Sequence, residues 1–382
     1  MHMIGNLSGG MFFKNTVKTN VKKLGAVKRC AIGLLTFVSE MNEQTLAAIA
    51  KAWNWHFPQL TPIQSGLINR TWKVTERAQS WLLQAINTHV FAQPDWIDFN
   101  LQLLSRYLTQ HHPNYLFTSP VVSAGGKGIF ECEGSVYRVF PWIPGSHSRN
   151  ALDDANQAFE AARCFGAFTK NLSAFPAAAL KVIIPGFHDL SLRYHQFEQA
   201  LQNGDSNRMQ ECKAAIQILQ AAYPLVTKFE SYTQHADVKR RVTHHDTKIS
   251  NVLFNEQEQG MCVIDLDTVM PGYFISDTGD MFRTYVCAVT EEEQQLDLIT
   301  VRKEYTAAIV AGYLSEMGSE LSSFEQDHIY FGGEVLMYMQ ALRFLADYLQ
   351  MDKYYGARYP TQNKVRAENQ IRLLTLFQES LR

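Results

Sequence analysis

The sequence predicts an α+β fold in two lobes, a small β-rich lobe over residues 41–143 and a larger, mostly helical lobe over 144–382. Three observations predict it. Short segments with the alternation of β-strands crowd between Gln59 and Phe140. Beyond residue 150, apolar residues recur at helical spacing almost to the C-terminus. Between these regions stands Pro141-Trp142-Ile143-Pro144-Gly145, which suits neither period and reads as a linker. The chain has 382 residues, 46% of them hydrophobic and 19% charged, so each lobe can bury a core. Disordered, collagen-like and coiled-coil compositions are excluded.

The elements follow in order. Residues 1–40 carry six bases and one acid, and are expected to be a basic tail, disordered or an over-extended start, with Met41 the natural beginning. No small-x-small cleavage site precedes Glu40, which argues against a signal peptide. Asn42 suits the N-cap of a helix over 43–54. Strands are expected at Gln59–Gln64, Leu67–Thr75 and Trp81–Ile86, then a helix from Asp95 to Gln110 with Trp96, Leu103 and Tyr107 on one face. Gly128–Cys132 and Ser135–Phe140 form a hairpin about Glu133-Gly134, a favoured two-residue turn. In the second lobe helices are expected at 152–171, 190–202, 207–233, 276–289, 292–316, 325–350 and 364–380, interrupted by a strand-rich island from Arg241 to Val269.

Thirty-five bases against 37 acids give a net charge of −2, so nothing calls for nucleic acid or a membrane surface as partner. No run of 18 apolar residues occurs. The six cysteines form no CxxC pair, which fits reduced core thiols and a cytoplasmic location.

The island carries the chemistry. His244, Asp246, Lys248 and Asn251 fall in a loop, Asn251 opens the apolar Val252-Leu253-Phe254, and Val263-Ile264 leads into Asp265. Two adjacent strands would bring Asp246, Asn251 and Asp265 to one end of a hairpin. Carboxylates and an amide oxygen are hard ligands, the kind Mg²⁺ uses while holding a polyphosphate. Phosphoryl transfer also needs a carboxylate to accept the proton of the attacking hydroxyl. Alone, Asp265-Leu-Asp267 would be an ordinary loop cap; the loop nineteen residues earlier is what makes it chemical. An EF-hand is excluded, having no Gly at its sixth position and no Glu at its twelfth. His244-His245 lacks the third ligand a zinc site would need.

His244-x-Asp246-x-Lys248-x-x-Asn251 resembles the kinase catalytic loop, with Asp265 in the place of the metal-binding Asp of D-F-G. The absent Phe-Gly and the helical second lobe resemble the aminoglycoside/choline-kinase branch of the protein-kinase-like fold. Further motifs are Gly66-Leu-Ile-Asn-Arg-Thr-Trp72, Leu82-Leu-Gln-Ala-Ile-Asn87, Ile264-Asp-Leu-Asp-Thr-Val-Met-Pro-Gly272, Asp277-Thr-Gly-Asp280 and Leu342-Arg-Phe-Leu-Ala-Asp-Tyr-Leu349. Together these resemble the N-acetylhexosamine 1-kinase-like members of that branch, in order from about residue 60 to 380.

That resemblance implies an ATP- and Mg²⁺-dependent sugar 1-kinase, with ATP and an amino-sugar acceptor as partners and a monomer or weak homodimer as its state. Asp246 is then the catalytic base, Asn251 and Asp265 the metal ligands, and Asp267 either a support behind those ligands or a ligand of a second metal. Lys248 offsets charge on the transferred group. His244 and Asp280 brace the loop, and Arg283 pairs with Asp280. Arg343 and Tyr354 contact the sugar. The nucleotide side comprises Gly66 and Asn69 of the covering loop, Gln84 on the third strand, and Phe140 and Trp142 beside the linker, whose backbone suits adenine.

Departures accompany it. Gln84 stands where protein kinases carry a strand lysine, and Asn100, four residues after Trp96, suggests a Gln84–Asn100 amide contact in place of the usual ion pair. Leu67 stands where some relatives have His, which puts the acceptor in question. A kinase for another acceptor (an amino alcohol, homoserine or an aminoglycoside) and a non-catalytic nucleotide-binding module therefore stay open. Cationic acceptors would need acids, which Glu198, Glu334 and Asp347 would supply.

Overall fold

The computed structural model describes residues 41–63 and 68–382. The side chain of Asn42 accepts the Thr45 N–H at 2.7 Å, capping the helix Glu43–Ala52. Five antiparallel strands follow: β1 (Gln59–Ile63), β2 (Arg70–Glu76), β3 (Gln79–Ile86), β4 (Ile129–Cys132) and β5 (Ser135–Pro141). Their order is β1-β2-β3-β5-β4. Glu133 and Gly134 both have positive φ, 49° and 71°, the twist that a two-residue hairpin turn between β4 and β5 demands. Gln84 in β3 lies opposite Thr71 of β2 and Arg138 of β5.

The helix Pro94–His111 joins β3 to β4 and begins on a proline, whose missing N–H costs nothing there. Its buried stripe is Ile97, Leu101, Leu104 and Leu108, not the face of Trp96, which is 39% exposed. Aliphatic side chains at 3–4 spacing won the core, and Leu103 and Tyr107 only border it.

In the larger lobe, the helix Ala155–Asn171 packs on Lys303–Met317 so closely that a Cβ on Gly312 would lie 2.2 Å from the Phe159 carbonyl oxygen. Phe331–Leu349 is buried on nearly every face between Phe274–Tyr285 and Gln362–Ser380. The expected single helix over 207–233 is three: Ser206–Glu211, Lys213–Ala221 and Pro224–Gln234. Pro224 cannot continue a helix and opens a new one instead. The helix expected from 292 starts only at Lys303, after a short 3₁₀ turn at Leu296–Leu298.

The island forms two small sheets. β7 (Arg241–Thr243) pairs with β10 (Met270–Gly272); β8 (Val252–Phe254) pairs with β9 (Gly260–Val263) and with β6 (His147–Ser148) just after the linker. The five-stranded sheet and the helices that follow it belong to one compact unit, Ala48–Arg382. The described cysteines are free; burial pushes the Cys164 and Cys262 thiols up to about 12, as inert core groups. No helix among the described residues is long and apolar enough to cross a membrane.

Candidate active site

The loop between β7 and β8 is held almost entirely by buried partners. Asp277, on the first turn of Phe274–Tyr285, accepts the N–H groups of His244 at 3.0 Å and His245 at 2.8 Å. Asp280, one turn on, accepts the Thr247 N–H at 2.9 Å and pairs with Arg283 at 2.8 Å. Burial raises the pKa of both carboxyls, that of Asp277 to about 7. His244 accepts the Asp246 N–H on Nδ1 at 3.3 Å, leaving Nε2 to donate to the Ile264 carbonyl at 3.0 Å. Its ring is fully buried against Phe165 and Phe168, and burial lowers its pKa to about 4, so it braces the loop as a neutral group. His245 adopts a left-handed φ of 66°, and its ring meets the Thr243 and Thr268 carbonyls. Both histidine rings are thereby held inside the fold.

Pairing of β8 with β9 sets Val252 against Val263, so Asn251 and Asp265 emerge at the same end of the hairpin. The expected convergence is present. Asn251 Nδ2 donates to Asp246 Oδ2 at 3.0 Å and to the Asp246 carbonyl at 2.8 Å, and Lys248 Nζ lies 2.7 Å from Asp246 Oδ2 and 3.7 Å from Asp265. Lys248 is thus a cation between two carboxylates. Burial lowers its pKa, but Asp246 and Asp265 more than offset this and hold it above the usual value. Asp265, at φ 60°, has its pKa raised to about 6 by burial and then by Asp267, against the pull of Lys248. Asp246 Oδ1 has no hydrogen-bond partner among the described residues and is free to accept a proton.

A cavity of about 470 Å³ opens beside this cluster. Ile63 and Leu82 of the sheet, Trp142 and Ile143 of the linker, and Leu253 and Ile264 of the β8–β9 hairpin make one end an apolar slot; Lys248, Asn251 and Asp265 make the other polar. Gln84 and Phe140 also line it. Lys73 Nζ sits 4.4 Å from the Trp142 ring centroid.

Three expectations need correction, and one falls outside the described residues. Asp267 is not directed to a metal: it is buried, paired through both oxygens with Arg138, and accepts from Asn69 Nδ2 at 2.9 Å. Asn69, expected at the nucleotide, is buried between Asp267 and the Asn87 N–H. Gln84 does not touch Asn100; its Oε1 accepts from Arg138 Nε and Nη2 at 3.0 and 2.8 Å. Asn100 instead bonds Lys181 and the Val269 carbonyl. Gly66 and Leu67 lie outside the described residues.

Two important residues carried no assignment from sequence. Arg138 stands in Ser135–Pro141 among apolar neighbours, and a lone cation in such a strand must find a buried partner. That was its available signal. Asp277 belongs to a recognised motif, but its clamp on two amides is visible only in three dimensions.

Arg343 and Tyr354 line a second cavity, of about 260 Å³, with Arg193, Gln196, Gln199 and Gln350. The guanidinium of Arg343 faces the Phe187, Tyr354 and Tyr355 rings and donates to Gln340 at 2.9 Å. Phe187 stacks on His188, whose ring is 5.3 Å from that of His245 in the catalytic loop. Asp347 is not paired with Arg343; its two oxygens take the Tyr354 and Tyr355 N–H groups and Asn363. Glu334 is held by Lys228 and Gln378, and Glu198 lies beside His195.

Residues 59–311 match the model of the phosphotransferase enzyme family. Among solved structures, an aminoglycoside phosphotransferase from Alicyclobacillus acidocaldarius is similar over 91% of this chain and 99% of its own, at 14% identity and a TM-score of 0.61. A microcompartment-associated aminopropanol kinase matches over 89% and 98%, at 17% identity and 0.58. Spectinomycin phosphotransferase, solved with ADP and spectinomycin, matches over 89% and 100%, at 12% identity and 0.55. At such identities the likeness is one of fold, the two-lobed kinase-like one.

Proposed function

Because the chain belongs to the phosphotransferase enzyme family, we propose that it transfers the γ-phosphoryl group of ATP to a hydroxyl of a small, oxygen-rich acceptor, namely the anomeric hydroxyl of an N-acetylhexosamine. The observation that carries the reading is the polar end of the larger cavity. There Lys248, Asn251 and Asp265 line the wall, and Asp246, one hydrogen bond behind Lys248, keeps an unengaged carboxylate oxygen.

The apolar slot suits adenine, with the linker backbone alongside it. Asn251 and Asp265 would hold Mg²⁺, and the donor set fits. Both residues offer hard oxygens and both line the cavity, and Asn251 holds Asp246 through its Nδ2, which leaves its Oδ1 open among the described residues. A site left open in this way suits an ion that keeps waters and takes phosphate oxygens. When bound, it supplies charge neutralisation on the β- and γ-phosphates. Asp246 accepts the proton of the attacking hydroxyl. Lys248 compensates charge on the group in transfer, and His244, Asp277 and Asp280 keep the loop still.

The second cavity supports a neutral, hydroxyl-rich acceptor over a cationic amine. It presents Arg193, Arg343, three glutamines and Tyr354, and its one carboxylate, Asp347, is taken up by backbone amides. An ammonium group would meet two guanidiniums there with no free acid to balance it.

The test is ADP release from Mg·ATP with N-acetylglucosamine, N-acetylgalactosamine, ethanolamine, aminopropanol, homoserine and an aminoglycoside, run alongside Asp246→Asn. Turnover on an N-acetylhexosamine, lost by about 10²–10⁴-fold in the variant with ATP affinity kept, is expected. Phosphorus NMR then reads which hydroxyl reacts. Turnover confined to an amine would overturn the acceptor assignment and leave the transfer chemistry.

A further inference from the structure

Arg138 is the largest fully buried side chain of the molecule among the described residues, and its position is not that of an ordinary core group. It projects from β5, in the sheet, yet its partner Asp267 belongs to the turn Leu266–Thr268 of the other lobe. The guanidinium makes four hydrogen bonds. Two go to Gln84 Oε1 on the neighbouring strand and two to the carboxylate of Asp267. Asp267 receives a third donor from Asn69, at the start of β2, at 2.9 Å. Arg138 on β5 and Asn69 just before β2 thereby grip one carboxylate of the opposite lobe.

That carboxylate lies two residues after Asp265. The short turn between them has little freedom: Asp265 is left-handed at φ 60°, Leu266 is buried, and the Val269 N–H closes on the Leu266 carbonyl at 3.2 Å. Where Asp267 is pinned, Asp265 is pinned. Arg138, Gln84 and Asp265 also share the wall of the larger cavity. Gln84 has no charge with which to bind an acid, and its Oε1 is spent in orienting Arg138.

We propose that Arg138 is a positioning residue, a tie from β5 that sets the Asp265 carboxylate for its metal through Asp267. The proposal rests on Asp265 being a metal ligand, as in the function given above. Arg138 need not touch the phosphates. With both ends buried, removing one partner strands the other's charge, whereas removing both does not.

The experiment is calorimetric binding of ADP, with and without Mg²⁺, to the full chain and to Arg138→Lys, Arg138→Gln and the double variant Arg138→Gln/Asp267→Asn, with melting temperatures measured in parallel. No acceptor is needed. The parent is expected to bind ADP more tightly with Mg²⁺, and each variant to lose about tenfold or more in apparent Mg²⁺ affinity, on the scale of lost support around a metal ligand. Arg138→Lys keeps the charge but not the fork, and is expected to lose Mg²⁺ affinity too. The double variant should regain melting temperature relative to Arg138→Gln while Mg²⁺ affinity stays low, which a merely structural role would not produce. If Arg138→Lys and the double variant respond to Mg²⁺ as the parent does, the proposal is wrong and the proposed function survives. A parent whose ADP binding ignores Mg²⁺ would remove the metal assignment of Asp265, and the proposal with it.

Discussion

Asp277 offers a demanding test of how the catalytic loop is held. Its carboxylate is fully buried and accepts two backbone N–H groups, those of His244 and His245, at 3.0 and 2.8 Å. The second belongs to a residue at φ 66°, a conformation costing about 1–3 kcal/mol that only surrounding contacts sustain. Asp277→Ala leaves both amides buried without this acceptor, at about 1–3 kcal/mol each. Deleting the carboxylate also removes its own desolvation cost, so a net loss of about 2–4 kcal/mol is expected. For a chain of this size that corresponds to a fall of about 3–5 °C in Tm. Release of His245 also shifts Asp246, its neighbour, and a misplacement of about 1 Å lowers kcat by about 10²-fold. Thermal melts and ADP release by the folded variant are the assays. A variant melting within a degree of the parent, with kcat within about twofold, would refute the clamp.

The remaining expectations are brief. Burial raises the Asp277 pKa from 3.8 to about 7, so the fold prefers its protonated form. Its contribution to stability is therefore full below about pH 4 and is lost as pH rises through about 7. Asp277→Asn should flatten the stability–pH curve in that window, and an unchanged slope in urea titrations would count against it. Asp265→Ala should abolish Mg·ATP turnover while leaving metal-free nucleotide binding intact, as read by ADP release and calorimetry; turnover at the parent rate would discard Asp265 as a ligand. Gly272→Ala would set a Cβ 2.4 Å from His245 Nε2 and 2.9 Å from Thr243 Oγ1, and should cost about 1–3 kcal/mol with a drop in kcat. An unaltered urea midpoint would show that the His245 ring is not fixed.

What was legible in the sequence was local. The Glu133-Gly134 hairpin, the Asn42 cap and the hairpin carrying Asn251 and Asp265 each follow from residues close together in the chain. Partners distant in sequence were another matter. Departures from a kinase pattern suggest a Gln84–Asn100 pair, but nothing local encodes that Arg138 lies opposite Gln84 in the sheet and takes its oxygen. At Asp267, spacing shows a carboxylate and not what neutralises it. The continuous helical pattern over 207–233 hid Pro224, which starts a helix as readily as it ends one.

The grip of the sheet on Asp267 also bears on how the molecule moves. An opening wide enough to part β5 from the 265–267 turn would leave a guanidinium and a carboxylate, each 2% exposed in the closed arrangement, without each other. Breaking such a pair costs several kcal/mol unless water enters at once. Traffic through the larger cavity therefore favours small excursions of its rim over hinged separation of the lobes. The molecule behaves less like a clamshell than like a fixed jaw with a soft lip.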